Sequence, residues 1–222
     1  MRTDEEIRDD VIDELEWEPK VDATEVGVTV KDGAVTLLGT VRSYAEKLAA
    51  EQATKRVKGV RAIAENIEVR LPSDMAATDE SIAEQIAHIL EWDTTIPNAS
   101  IQAEIRKGFV TLTGEVPWNY QREKARKIVA DVRGVNSVSN QIRVKSPSLP
   151  RADITREITR ALHRNADIEA AHIKVSTAGG RVTLDGSVRA FYERKLVEDA
   201  VWSAPGVTQV IDNLRVAQPV EV

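Results

Sequence analysis

Gly33-Ala34-Val35-Thr36-Leu37-Leu38-Gly39-Thr40-Val41 is written three times in this chain. It returns as Gly108-Phe109-Val110-Thr111-Leu112-Thr113-Gly114-Glu115-Val116 and as Gly180-Arg181-Val182-Thr183-Leu184-Asp185-Gly186-Ser187-Val188. A further glycine, always followed by valine, comes 20 residues after each inner one: Gly59-Val60, Gly134-Val135 and Gly206-Val207. Each copy then closes on an alternating run: Asn66-Ile67-Glu68-Val69, Gln141-Ile142-Arg143-Val144 and Asn213-Leu214-Arg215-Val216. Three glycines held in register over three copies mark an internal repeat of roughly 70 residues, the size of one supersecondary unit.

Within a copy the pattern reads helix, strand, strand, helix, strand. Ile7, Val11 and Leu15 stand at helical spacing, as do Ile82, Ile86 and Leu90, and Ile154, Ile158 and Leu162. Such a stripe is the buried face of an amphipathic helix. Thr3 with Glu6 has the form of a capping box, and Asp153 is placed to cap the third copy. Val26, Val28 and Val30, then Val35, Leu37 and Val41, alternate as half-buried strands do. Between them Asp32-Gly33, Lys107-Gly108 and Gly179-Gly180 suit a tight hairpin. Gly39, Gly114 and Gly186, inside the second strand, predict a bulge or a close backbone contact. The second helix buries Ala50, Ala53 and Val57; Ala125, Ile128, Val129 and Val132; Val197, Ala200, Val201 and Ala204. Gly59, Gly134 and Gly206 follow it as left-handed caps. The hairpin is antiparallel, and the helical crossover makes strands two and three parallel. The expected fold is α+β: three tandem αββαβ domains, each with two helices on one face of a three-stranded mixed sheet. The expected boundaries are 1–72, 73–149 and 150–222, with short proline-containing connections.

A hairpin carrying Gly-x-Val-Thr-Leu-x-Gly-x-Val, a helix running to Gly-Val and a last strand ending in valine resembles the BON-domain family. The resemblance spans nearly the whole chain. It implies a non-enzymatic binding protein of the kind found in bacterial envelopes and osmotic stress responses. Family members are proposed to bind phospholipid, and some bind other proteins or a potassium ion. The motif residues themselves, Gly33, Gly39 and Gly59 with their counterparts Gly108, Gly114, Gly134, Gly180, Gly186 and Gly206, serve backbone and core.

Composition narrows the chemistry. The hydrophobic fraction of 42% supports folded cores, and 4% aromatics means that Val, Ile, Leu and Ala build them. There is no cysteine, which excludes disulfides, thiolate catalysis and cysteine-based metal sites. His88, His163 and His172 do not recur at one repeat position, and His88 falls near the buried edge of its helix. No Gly-x-Ser-x-Gly motif, phosphate loop or metal-ligand spacing appears, so neither catalysis nor a metal or other cofactor is expected. The acidic start, Met1-Arg2-Thr3-Asp4-Glu5-Glu6-Ile7, is unlike a secretory leader, and no apolar run is long enough for a membrane span. The expectation is a cytoplasmic chain, at most peripheral to a membrane.

The net charge of −6 falls mainly on the first copy, in Asp4, Glu5, Glu6, Asp9, Asp10, Asp13, Glu14 and Glu16 of its first helix. No copy is net basic, which disfavours nucleic acid as a partner. The strongest positive patch is the second helix of the second copy: Arg122, Lys124, Arg126, Lys127 and Arg133, beside Trp118 and Tyr120. A basic helix next to an aromatic loop suits an anionic phospholipid surface. The same residues also fit a solvated outer face, since Tyr44, Phe191 and Tyr192 put aromatics near this position in the other copies. Trp17 and Trp92 recur at the end of the first helix and read as packing residues; Trp202 has no counterpart. Two functions stay open: a membrane-peripheral phospholipid binder, and a soluble stress-linked protein that presents its open sheet faces to protein partners, with a potassium-binding module as a weaker third.

Overall fold

The structure, a computed structural model, describes residues 2–71, 77–145, 154–165 and 172–217. The two connections, and with them the Asp153 cap, lie outside the described residues. The first repeat runs α1 (Asp4–Glu16), β1 (Val26–Lys31), β2 (Ala34–Val41), α2 (Tyr44–Arg56) and β3 (Ala62–Val69). The second runs α3 (Asp79–Trp92), β4 (Ile101–Arg106), β5 (Phe109–Val116), α4 (Asn119–Ala130), β6 (Ser137–Asn140) and β7 (Arg143–Val144). The third runs α5 (Ile154–Arg164), β8 (Ile173–Ala178), β9 (Arg181–Val188), α6 (Phe191–Trp202) and β10 (Gln209–Val216). In every repeat the long hairpin strand is central. It pairs antiparallel with the strand before it and parallel with the strand after the crossover helix. In the second repeat that last strand is broken into β6 and β7, both paired with β5.

Local chemistry explains these elements. Thr3 and Glu6 form the expected capping box: Glu6 N–H donates to Thr3 Oγ1 and Thr3 N–H to Glu6 Oε2. The hairpin turns hold both central residues at positive φ, at 51° and 73° for Asp32-Gly33 and 54° and 75° for Lys107-Gly108. That is the tight turn whose twist matches the strands. In the first two repeats helix one ties down this turn. Asp4 accepts the N–H groups of Asp32 and Gly33 at 2.8 and 2.9 Å, and Asp79 accepts those of Lys107 and Gly108 at 2.7 and 2.9 Å. By register the third repeat has Arg151 at this place.

Gly39, Gly114 and Gly186 make the close contact that their strand position predicts. A Cβ on Gly39 would sit 2.0 Å from the carbonyl oxygen of Glu25. At Gly114 and Gly186 it would sit 2.0 Å from those of Ser100 and His172. The chain entering the first strand crosses directly over the second, and only a bare Cα leaves it room.

Val35, Leu37 and Val41 point into the first core with Ile7, Val11, Leu15, Ala50, Ala53 and Val57. The other two cores repeat this arrangement. Two aromatic residues depart from expectation. Trp17 is 84% exposed and Trp92 76% exposed, so neither is a packing residue. Each stands two positions after the last member of its helix stripe, Leu15 or Leu90. A step of two turns a helical side chain away from the buried face. His88 is likewise exposed, and it stacks on Trp92 with ring centroids 5.6 Å apart.

The repeats pack on one another. Tyr44, the first residue of α2, joins the core of the second repeat, where Leu48 and Val69 also pack. Val144, at the end of the second repeat, joins the core of the third. Val216 and Ala217 of the third repeat border a cavity of about 290 Å³ with Arg2, Ile7, Gly33 and Gly59 of the first. Helix α2 of the first repeat and α6 of the third also touch. The first two repeats thus each lend an apolar residue of the last strand to the core of the next, while Val216 packs on its own core and meets the first repeat at this cavity.

Candidate interface on the second repeat

Helix α4 opens at Trp118 and is fixed to the preceding loop by Gln121. Gln121 Oε1 accepts the N–H of Trp118 at 3.0 Å, while its Nε2 donates to the carbonyl of Thr95 at 2.8 Å. The first repeat has Glu46 here, whose carboxylate accepts two N–H groups, from Asp22 and Arg42, both at 2.9 Å. The loop of the second repeat presents a carbonyl in place of an N–H, and an amide is the side chain that can answer it.

The basic residues of α4 are not equivalent. In the first and third repeats the helix-two cation pairs with an acid on the last strand: Lys47 with Glu65 at 3.0 Å, Arg194 with Asp212 at 2.8 Å. In the second repeat that strand position is Asn140, which donates to the backbone carbonyl of Arg122. Arg122 is left to reach the third repeat, where its guanidinium lies 4.7 Å from the ring centre of Trp202. Arg122 also meets Glu123 at 3.3 Å, as does Arg126 at 3.2 Å. Lys124 is held at 2.7 Å by Asp93, whose other oxygen accepts the N–H and hydroxyl of Thr95. These bonds, Lys124 first, draw the Asp93 carboxyl down to about 2. Among the described residues, Lys127 and Arg133 carry no ion pair.

Two concave faces meet along α4. One lies between α4 and α6 and is lined by Trp118, Tyr120, Lys127 and Trp202, among others. The other lies between α3 and α4, with His88, Trp92 and Arg133. Ile128 and Asp131 belong to both, so the surface is continuous. Tyr120 is 58% exposed, Trp118 is half-buried, and Trp202 is buried beneath Arg122. Of the seven residues singled out in the sequence, Trp118, Tyr120, Lys124, Arg126 and Lys127 share the first face. Arg133 falls on the second, and Arg122 is turned to the joint with the third repeat.

Sequence reasoning missed Asn119. It begins α4, where the other repeats begin on the rings Tyr44 and Phe191. That polar residue at an aromatic position was the available signal. Among the described residues no set of three His, Asp or Glu side chains could hold a metal ion. No described helix is long and apolar enough to cross a membrane.

Comparison with known proteins agrees with the repeat. A family model described as "BON domain" matches residues 3–70, 78–146 and 150–218. Osmotically-inducible protein Y of Escherichia coli K12 is 30% identical over 129 residues, covering 56% of this chain and 64% of that protein. A 21 kDa hemolysin of Actinobacillus pleuropneumoniae is 29% identical, covering 50% of this chain and 60% of the hemolysin. The chain thus spans somewhat less than two thirds of the length of each. The outer membrane lipoprotein DolP of Haemophilus influenzae is 27% identical over 60% of this chain and 72% of its own. Among solved structures, the type III secretion protein CdsD of Chlamydia trachomatis aligns over 93% of this chain and 90% of its own at 15% identity, with a TM-score of 0.26. That likeness is too distant to carry an argument.

Proposed function

Because the chain belongs to the BON-domain family, we propose that it is a non-enzymatic binding protein that attaches to anionic phospholipid surfaces, in an envelope or stress context, through its second repeat. One observation carries this reading. Lys127 on α4 and Arg133 in the turn after it, neither in an ion pair among the described residues, stand on one continuous face with the exposed rings of Tyr120 and Trp92. Free cations supply long-range attraction to an anionic surface, and Trp and Tyr rings settle at the headgroup level. The same face explains why Arg122, Lys124 and Arg126 contribute less, since each already has a partner.

The test is co-sedimentation with vesicles of neutral phosphatidylcholine, with and without anionic phosphatidylserine, at low and moderate salt. Binding to the anionic vesicles alone is expected, weakening as salt rises. Lys127→Gln and Arg133→Gln should each reduce it about five-fold, from roughly 1 kcal/mol per basic residue near such a surface. Arg122→Gln should leave vesicle binding nearly unchanged. Failure to sediment with anionic vesicles at low salt would refute the reading and turn the search to protein partners.

A further inference from the structure

We propose that the free edge of β4 takes up an extended peptide segment as an added strand, with a branched aliphatic side chain set against α3 and a basic residue on either side of it. The inference goes beyond the membrane reading and does not rest on it, since it uses a different side of α3. Strand β4 ends its sheet and, among the described residues, pairs with β5 alone. Register fixes where its backbone groups point. Arg106 and Phe109 flank the two-residue turn as a mutually bonded pair, so Glu104 and Gln102 also face β5. The N–H and C=O groups of Ile101, Ala103 and Ile105 therefore point away from the sheet, a template for one more strand. β4 carries neither proline nor lysine, which commonly guard such an edge.

The helix beside this edge leaves room in the second repeat. Ala83 and Ala87 of α3 line a cavity of about 380 Å³ with Ile86, Leu90, Ile96 and Ala103. By register the first repeat has Arg8 and Ile12 in place of the two alanines, and the third has Thr155 and Thr159. Thr155 bonds across to Thr177 of its own edge strand at 2.8 Å, which ties helix to edge there. A residue paired opposite Ala103 sends its side chain to the same face as Ala103, hence to this cavity. Charge selects its neighbours. Asp79 holds the β4–β5 turn, so α3 starts near Ile105 and runs towards Ile101. Glu84 and Glu91 stand on the Ala87 side of the helix, one towards each end, and neither is in an ion pair among the described residues. Two helical turns separate them by about 10.5 Å, close to the roughly 13 Å between residues i and i+4 of a strand. A lysine on each side of the aliphatic residue thus meets one acid.

The experiment is heteronuclear NMR of the full chain titrated with an end-blocked peptide of sequence TKTVTKT, whose valine and lysines share one face of a strand. Amide shifts at Ile101, Ala103 and Ile105 are expected, with weaker binding of TETVTET. Ala87→Ile, the residue type of the first repeat, should fill the cavity and weaken TKTVTKT binding about five-fold. Ala103→Pro should weaken it about as much, by removing an edge N–H that the fold does not use. Both variants should keep the thermal midpoint near that of the parent. No shift at the three amides would overturn the proposal, as would equal binding of TETVTET or undiminished binding by either variant. The same shifts appearing with rising protein concentration and no peptide would also overturn it, in favour of a second copy of the chain.

Discussion

At Gly39 a single methyl group decides whether the hairpin closes. The residue sits at φ 123°, and a Cβ there would fall 2.0 Å from the Glu25 carbonyl oxygen. Gly39→Ala should lower stability by about 3 kcal/mol or more, combining backbone strain with displacement of the crossing chain. Gly27, one strand away, is the control, because a Cβ there finds only ordinary contacts at 3.8 and 3.9 Å. Gly27→Ala should be neutral or stabilising by up to about 1 kcal/mol. Urea midpoints of the two variants measure the contrast. The recurrence of Gly39, Gly114 and Gly186 was plain in the sequence, and so was their strand. Which atom excludes a side chain was not, since the oxygen belongs to a residue whose own side chain is irrelevant to the contact. Asn119 was hidden for a related reason. One polar residue at one of three aligned positions gives no sign of its burial until the neighbouring helix is in place.

Among the elements, the joint between α3 and α4 rests on Asp93. It follows the last residue of α3, binds Thr95 in the loop and reaches Lys124 on α4 at 2.7 Å. Its carboxyl is held at about 2, below the usual carboxylate range near 3.9. A lowered folded-state value means that ionisation stabilises the fold above the unfolded value and that this contribution fades as pH falls through the folded one. The loss should therefore fall between about pH 4 and pH 2. Asp93→Asn should be less stable than the parent at neutral pH, and the two thermal midpoints should converge as pH drops through that window. A constant offset down to pH 2 would assign the effect to shape, not charge. Helix and strand order was legible here because apolar period and turn residues report on each element's own core. Trp17 and Trp92 are exposed because recurrence at the same place in two repeats reports shared sequence, while angular position on the helix decides burial.

Over the whole molecule, packing between repeats follows from small departures among otherwise matching copies. With Asn140 in place of an acid, Arg122 has no partner on the last strand and, while still meeting Glu123, covers Trp202 in the next repeat. A double-mutant cycle on Arg122 and Trp202 should give a coupling of about 0.5–2 kcal/mol in thermal or urea unfolding. In an Asn140→Asp background the restored acid should draw Arg122 back, and the coupling should fall towards zero. An unchanged coupling would mean that the strand residue does not set where Arg122 goes. None of this could be taken from the sequence alone, because Tyr44 and Arg122 stand at positions that serve the home repeat in one copy and a neighbour in another.

The return of the third repeat onto the first has a consequence for how the chain could be rewired. Arg2 and Asp4 share a cleft with Val216 and Ala217. Chain order is thus nearly independent of the order of contacts around the molecule. A circular permutant, cut between repeats one and two and sewn across that cleft by a short flexible linker, would be read 2–3–1 and yet bury the same cores.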